Sequence, residues 1–497
     1  MQTNQHPPSL AGLRARTLAG ITVVALLAVL SVPLALWAHA HLRRSEPAAR
    51  ERVTSAPAAI RLWFSERPQL AFTRIRLRGA DSTDIVLGPV AAMAGEPFGV
   101  SAPVVGALSS GTYRVAWRTG GADGHVVAGS FEFVFAAERI ASAARVADTS
   151  ARLPSAGHAL IRIDPGAERP MRVNAYAATR WVEFSAMLAV LGAIVFRLVV
   201  LHALERRGAP PWMQRDLITA VADASRRFGE SALILLLIAA VVRVYGEARS
   251  LSEPGGPTNV ASLRALLAES SWGHGWMIGA AGVVIAAIGF AWARRALAGW
   301  RVASAGAVAI ASGAALTGHA AATHPVALSV LDDLLHVLAV SAWLGTLLVA
   351  AIVALPALRR ARSREQQGDS IGAPLATLAR AFHPVALTCA SVAVLTGLLS
   401  AWLRLPGLSS LWGTVYGQAL VLKVALVIVV VAVGAYNWRR MLPALGDDGS
   451  ATRFRRSALV ELTFAGLVLA VTAILVALPT PAVETVAAVQ PVDAHSR

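Results

Sequence analysis

In the first third of the chain, apolar side chains fall on every second position in short runs. Ile60, Leu62 and Phe64 form one run, Tyr113, Val115 and Trp117 a second, and Phe131, Phe133 and Phe135 a third. Period-two alternation between Gly- and Pro-containing turns predicts a small antiparallel β-sandwich or barrel over residues 39–136. Further on, the pattern changes to unbroken apolar runs near 180–203, 229–248, 273–293, 302–319, 328–355, 382–403, 415–437 and 457–479. A helix rising ~1.5 Å per residue crosses a bilayer in ~20 residues, so these runs predict an all-α membrane bundle of about eight transmembrane helices over 179–480. Residues 137–178, rich in Ala, Arg, Ser and Pro without periodicity, read as a linker, and 481–497 as an extracytoplasmic tail.

The N-terminus adds a third element. Arg14 and Arg16 precede the apolar stretch Leu18 to Trp37, which ends in small residues at Ala38 and Ala40. This is the layout of an export signal over residues 1–38, although the stretch is long enough to act as an uncleaved anchor. Composition agrees with a membrane protein: 56% of the 497 residues are hydrophobic and 15% charged. The formal net charge of +16 would suit a nucleic-acid binder, but its placement argues otherwise. The arginines crowd the loops after the first, third, fifth and seventh spans, as in Arg206 and Arg207, Arg294 and Arg295, Arg359 and Arg360, and Arg439 and Arg440. With the β-domain exported, that is the positive-inside arrangement of an even number of spans in a bacterial inner membrane. The charge then speaks to the lipid bilayer, and no nucleic acid is expected.

Cys389 is the single cysteine, which excludes an intrachain disulfide or a thiolate cluster. Metal chemistry would therefore rest on histidine, carboxylate and backbone amine. Cleavage after Ala38 would leave His39 as an N-terminal residue offering its α-amine and imidazole together. Asp123 and His125, two residues apart, add a carboxylate and a second imidazole. Three nitrogens and one oxygen suit tetragonal Cu(II). Cleavage after Ala40 satisfies the small-x-small pattern as well and would expose His41 instead.

Charged and imidazole side chains within apolar runs usually face a bundle interior or a cavity. His319 and His324 flank the short loop after the fourth run, and Asp332, Asp333 and His336 open the fifth, with 332 and 336 on one helical side. His383 lies near the opposite face, with Cys389 further along the same run as a lesser candidate. His274, between Trp272 and Trp276, reads first as part of an interfacial belt. Lys423, the sole lysine, reads as a counter-ion to a carboxylate, with Asp333 the plausible partner.

The segment from His39 through Leu42, Ser45 and Pro47, with Gly111 to Arg118 and Asp123 to Phe131, resembles the copper-resistance CopC family. His336, Trp343 to Gly345, Phe382 to Pro384, Thr396 and Gly397, Thr414 to Gly417, Lys423 and Asn437 resemble the CopD family, often found beside or fused to CopC. The resemblance implies an Ig-like Greek-key fold for the β-domain, a Cu(II) site at His39, Asp123 and His125, and a copper-handling membrane protein rather than an enzyme. A methionine-rich Cu(I) site is not expected in this β-domain, where Met93 is the single methionine. The expected function is inward copper transport, with His319, His324, Asp332, Asp333, His336 and His383 as path candidates and Cu(I) as a possible form within the membrane. Two alternatives stand beside it. One is a non-transporting tolerance module that hands copper to other copper-homeostasis proteins. The other is a haem-type redox protein, disfavoured because His319 and His383 fall at opposite faces. No nucleotide-binding loop is visible to supply ATP drive.

Overall fold

A computed structural model describes residues 42–121, 126–137, 170–206, 218–251, 260–358, 360, 372–441 and 448–478. His39, His41, Asp123 and His125 lie outside the described residues, as does the expected export signal.

Among the described residues, nine strands form the N-terminal part: β1 (Leu42–Glu46), β2 (Arg52–Val53), β3 (Ala59–Phe64), β4 (Gln69–Gly79), β5 (Asp84–Ile85), β6 (Ala91–Met93), β7 (Glu96–Pro103), β8 (Gly111–Gly120) and β9 (Val126–Phe135). They pair as two sheets, ordered β1-β3-β7-β6 and β2-β9-β8-β4-β5. The alternating residues read from the sequence are the ones that fill the space between the sheets. Ile60, Leu62, Val115 and Phe133 are fully buried there, and Phe64 packs edge-on against Trp117 with ring centroids 5.1 Å apart. Gly129, opposite Trp117 in the β8–β9 ladder, is required by that ring: a Cβ at 129 would lie 2.6 Å from Trp117 Cζ2. Tyr113 donates its hydroxyl proton to the Ser109 carbonyl at 2.7 Å and fixes the entry to β8.

The first strand is held by charge as well as by its ladder. Glu46 pairs with Arg61 across the β1–β3 register at 3.1 Å, and Arg44 adds a second contact. The Arg61 hydrogen bond, with Arg44 beside it, holds the Glu46 carboxyl below the usual carboxylate range. Both pairs are exposed, so they set register more than stability.

Among the described residues the helical part has eight long elements. Helix α1 starts as Pro170–Val195, passes a π turn at Phe196–Leu201 and ends as His202–Arg206. It is followed by α2 (Ile218–Leu251), a short α3 (Val260–Glu269), α4 (Ser271–Ala293) and α5 (Leu297–Leu316). Helix α6 begins as Val326–Val340 and runs on through π turns at Ser341–Gly345 and Ala350–Ala354, as part of a continuous span Val326–Leu358. Then come α7 (Gly372–Arg404), α8 (Val415–Tyr436, continued by a π turn Asn437–Met441) and α9 (Asp448–Ala477). Seven of these helices are long and apolar enough to cross a membrane: α1, α2, α4, α6, α7, α8 and α9. The eighth expected run is helix α5, which is richer in Gly, Ala and Ser and lies back to back on α4.

Helix α1 is the hub, contributing buried side chains to clusters with α2, α4, α5, α6 and α9. Its crossing with α6 is set by two glycines. A Cβ at Gly192 would lie 2.2 Å from the Gly345 carbonyl carbon, and one at Gly345 would lie 2.2 Å from the Leu188 oxygen. Small residues at a crossing let helix backbones touch where lipid supplies no hydrophobic drive. Gly192→Leu is therefore expected to lose most folded protein on detergent size-exclusion chromatography, because overpacking costs ~1–3 kcal/mol even where neighbours can move. Wild-type yield and melting would refute the crossing.

Candidate metal path

The two sequence-predicted ligand segments of the β-domain attach at one end of the sandwich. His39 and His41 precede Leu42, which pairs with Phe64 at the end of β3. Asp123 and His125 fall between Gly120 and Val126, the last pair of the β8–β9 ladder. Phe64 touches Trp117 in β8, and Gln69, opposite Gly120, starts the next strand, so these attachment points share an edge.

That same end rests on the helices. Gln69 Nε2 donates to Ser271 Oγ at 3.1 Å, at the start of α4, and Arg118 donates to the Ser250 carbonyl at the end of α2. Phe72 packs into a cluster with Val244, Ala248, Leu266 and Trp272. On β7, Phe98 meets the His324 ring edge-on at 5.6 Å. His324 is exposed, and His319 is half-buried in the single turn His319–Ala321.

Further into the bundle, α6 and α7 face each other in a polar ladder. Asp332 and His336 are four residues apart on α6, and Thr396 and Ser400 are four apart on the antiparallel α7. Ser400 Oγ donates to Asp332 Oδ2 at 2.6 Å, and His336 Nδ1 lies 2.9 Å from Thr396 Oγ1. The Thr396 hydroxyl donates its proton to the Val392 carbonyl at 2.7 Å, so toward His336 it can only accept. This makes Nδ1 the protonated nitrogen and leaves Nε2 with its lone pair, the form that ligates a metal. Gly397 packs on this ring, since a Cβ there would lie 3.5 Å from His336 Cε1.

Asp332 is 3% exposed, and its Oδ1 has no hydrogen-bond partner among the described residues; Ser329 Oγ, one turn earlier on α6, is in the same condition. Orphaned buried oxygens one and two turns before an imidazole on the same helix are the donor types that a cation with mixed O/N ligation uses. Sequence reading passed over Ser329 and Ser400, since an isolated serine in an apolar run carries no signal.

The other candidates do not converge on this ladder. Asp333 pairs with Arg404 at 3.8 Å rather than with Lys423, which has no carboxylate within 4 Å among the described residues. Arg404 closes the α7 ladder one turn beyond Ser400, and its reach to α6 leaves Lys423 within electrostatic range of Asp333 but outside contact. His383 stacks on Trp438 with centroids 4.7 Å apart, near the opposite end of the bundle, and Cys389 packs in an apolar cluster. His274 is exposed and bonds the Ala268 carbonyl. Among the described residues, no three His, Cys, Asp or Glu side chains stand close enough to hold a metal together.

The sequence reading missed a buried ionic network at the docked end. Arg243 donates to Glu183 at 3.2 Å and to the hydroxyl and carbonyl of Thr317 at 3.0 and 2.9 Å. Arg180 bonds the other Glu183 oxygen at 2.6 Å. Arg243 also lies over the Trp272 ring at 5.1 Å, so one guanidinium ties α1, α2, α4 and the end of α5. Its signal was Arg180 with Glu183 three residues on and Arg243 with Glu247 four on, pairs of opposite charge at helical spacing inside apolar runs.

A β-sandwich seated on a multi-span helical bundle, with carboxylate and imidazole inside the spans, defines a multi-pass membrane protein with an appended binding domain. Comparison with known proteins supplies the family. The CopC domain model matches residues 42–136, that of the Copper resistance protein D-like N-terminal domain 171–330, and that of Copper resistance protein D 376–475. Over 465 residues the chain is 25% identical to the Copper transport protein CutJ of Bacillus subtilis (strain 168), covering 92% of this chain and 77% of that one. It is 36% identical over 110 residues to Protein YobA of Escherichia coli (strain K12), covering 22% of this chain and 89% of YobA. Among solved structures, PcoC, a methionine-rich copper resistance protein from Escherichia coli, is 32% identical, with 20% of this chain and 100% of that chain covered and a TM-score of 0.18. CopC from Methylosinus trichosporium OB3b is 25% identical, with 20% and 97% covered and a TM-score of 0.19. The chain belongs to the CopC/CopD copper-resistance family, as a fusion of a CopC domain with a CopD membrane domain. That is a copper resistance and transport family, not a known enzyme family.

Proposed function

We propose that this protein captures Cu(II) outside the inner membrane and passes copper inward through its helical bundle. The export signal is cut before His39, and the α-amine and imidazole of His39 join Asp123 and His125 as the capture site, with His41 beside it. The β-domain lies on the periplasmic side and the arginine-dense loops in the cytoplasm.

The observation that carries this reading is the shared edge of the sandwich. Both ligand segments attach at the end that touches α2 and α4, and that end lies over the helix termini nearest His319 and His324. Copper leaving the capture site would meet His319 and His324 first. Asp332 Oδ1, Ser329 Oγ and His336 Nε2 come next, and Asp333 with Arg404 fixes the facing helix. His383 stands toward the exit.

Inside the span, the donors act by replacing water. A cation leaving water needs oxygen and nitrogen lone pairs at once, and an orphaned carboxylate oxygen already buried has no hydration left to lose. Asp332 and Asp333 together offset the charges of Arg404 and Lys423, so an entering cation does not meet a net positive ladder. Copper accumulation by cells carrying wild type, His39→Ala or His336→Ala tests the reading. Wild type should accumulate copper, with both variants near the empty-vector level. Equal accumulation in all three would remove transport and leave the anchored binder that serves partner proteins.

A further inference from the structure

Glu461 lies on α9 within the membrane-spanning segment and is 4% exposed. Its hydrogen-bond partner among the described residues is neutral: Asn437 Nδ2, at 3.1 Å from Oε2. The ion pairs described for the bundle involve Glu183, Glu205, Glu230, Asp223 and Asp333, not Glu461. The neighbouring turns of α9 are apolar, with Ala458 packed on Leu347, Ala351 and Phe382 and Ala465 packed on Val430. On α8, Gly434 leaves room for the carboxyl, since a Cβ there would lie 3.2 Å from Oε1.

The charged and titratable groups of the packing elements stand apart. Arg439 and Arg440 follow Asn437 but are exposed, as is Arg380 on α7; Lys423 on α8 lies about four turns before Asn437, Arg455 and Arg456 precede Glu461 by more than a turn, and α7 also offers His383, stacked on Trp438, and Cys389. An ionised carboxylate facing one amide proton in such surroundings is the costly form.

Asn437 gives an independent indication. It is 7% exposed, and its Oδ1 has no hydrogen-bond partner among the described residues. A protonated Glu461 has the missing donor: an O–H turned to Asn437 Oδ1, with the other oxygen accepting Nδ2–H, is the pairing of a cyclic acid–amide dimer. An ionised Glu461 would turn a second lone pair toward Oδ1. Asn437 also opens the π turn that leads to exposed Arg439 and Arg440, and such turns in helices often mark working positions.

We infer that Glu461 and Asn437 form a proton-holding site near the arginine-rich end of the bundle, and that its proton is exchanged as copper passes. The exchange is a plain acid dissociation: the O–H bond of Glu461 breaks, its electron pair stays on the carboxylate, and the proton goes to water at that end. Releasing that proton offsets one unit of the charge an entering cation brings into the bundle, which low-dielectric surroundings favour. The exchange clause rests on the transport reading; the protonation does not.

Infrared spectra of the purified full-length protein test the site without transport. The wild-type minus Glu461→Gln difference at neutral pH should contain the carbonyl stretch of one protonated, hydrogen-bonded carboxylic acid, and Glu461→Asp should shift that band. A difference showing only ionised carboxylate bands overturns the proposal. In proteoliposomes with a copper gradient, wild-type flux should respond to an imposed pH gradient and Glu461→Gln flux should not, while still running down the copper gradient. An unchanged pH response in Glu461→Gln overturns the exchange. A wild type that moves no copper defeats the transport reading and the exchange with it, and the infrared band then decides the protonation alone.

Discussion

Arg243→Met is expected to cost about 3–5 kcal/mol of stability, the range for breaking a buried ionic contact from one side. The guanidinium bonds Glu183 and both polar groups of Thr317 and lies on Trp272, so its loss strands a carboxylate oxygen and a helix-terminal carbonyl together. Methionine refills the volume but offers neither donor nor charge. Thermal unfolding in detergent should show the loss. Glu183→Gln should cost a similar amount, because it leaves the buried Arg180 and Arg243 guanidiniums without their shared carboxylate, and the double variant should lose less than the two single losses combined. A melting temperature within experimental scatter of wild type would mean that the network is decorative.

The second large effect lies in the β-domain. His125→Ala removes one of three proposed nitrogen donors, and Cu(II) affinity should fall by more than the ~10–100-fold that loss of an outer-shell partner costs a metal site. Electron paramagnetic resonance of the full-length protein loaded with one equivalent of Cu(II) should change its nitrogen hyperfine pattern, and competition with a chelator should give the affinity. His39→Ala should also alter the pattern, since it removes an imidazole while leaving an α-amine. Unaltered spectra in both variants would place the copper elsewhere. The β-sandwich should stay folded in both, because its core is built from side chains such as Leu62, Val115 and Phe133 rather than from these ligands.

The sandwich was legible because burial on one face imposes period two, and Ile60, Leu62 and Phe64 could not satisfy it any other way. Helix α5 was legible as an apolar run, but its back-to-back contact with α4 through small side chains was not, because a run does not say which helix it will touch. Asp332 and His336 could be paired from a spacing of four on one helix. Their partners on α7 could not, since register between two helices distant in sequence is decided by packing. The same holds for Asp333, whose ion pair went to Arg404 because α7 presents that side chain one turn past Ser400. His319, His324 and His383 illustrate the limit of residue type as evidence. Each is an imidazole in a membrane domain, and their surroundings separate them: a short turn, an aromatic edge on another domain, and an indole face. The docking of the sandwich rests on Gln69, Phe72, Arg118 and Phe98, none of which stands out in a strand of its type.

That docking also changes the kinetics available to the chain. A free periplasmic carrier must find its membrane acceptor by diffusion, at a rate set by the abundance of both. On the proposed capture-and-transfer reading, donor and acceptor belong to one polypeptide, in contact through Gln69 and Ser271, so each would see the other at an effective concentration of order millimolar for a short tether, however few copies the cell makes. Dilution of the protein would then leave the proposed delivery step unchanged, and scarcity of copper would be felt only at capture.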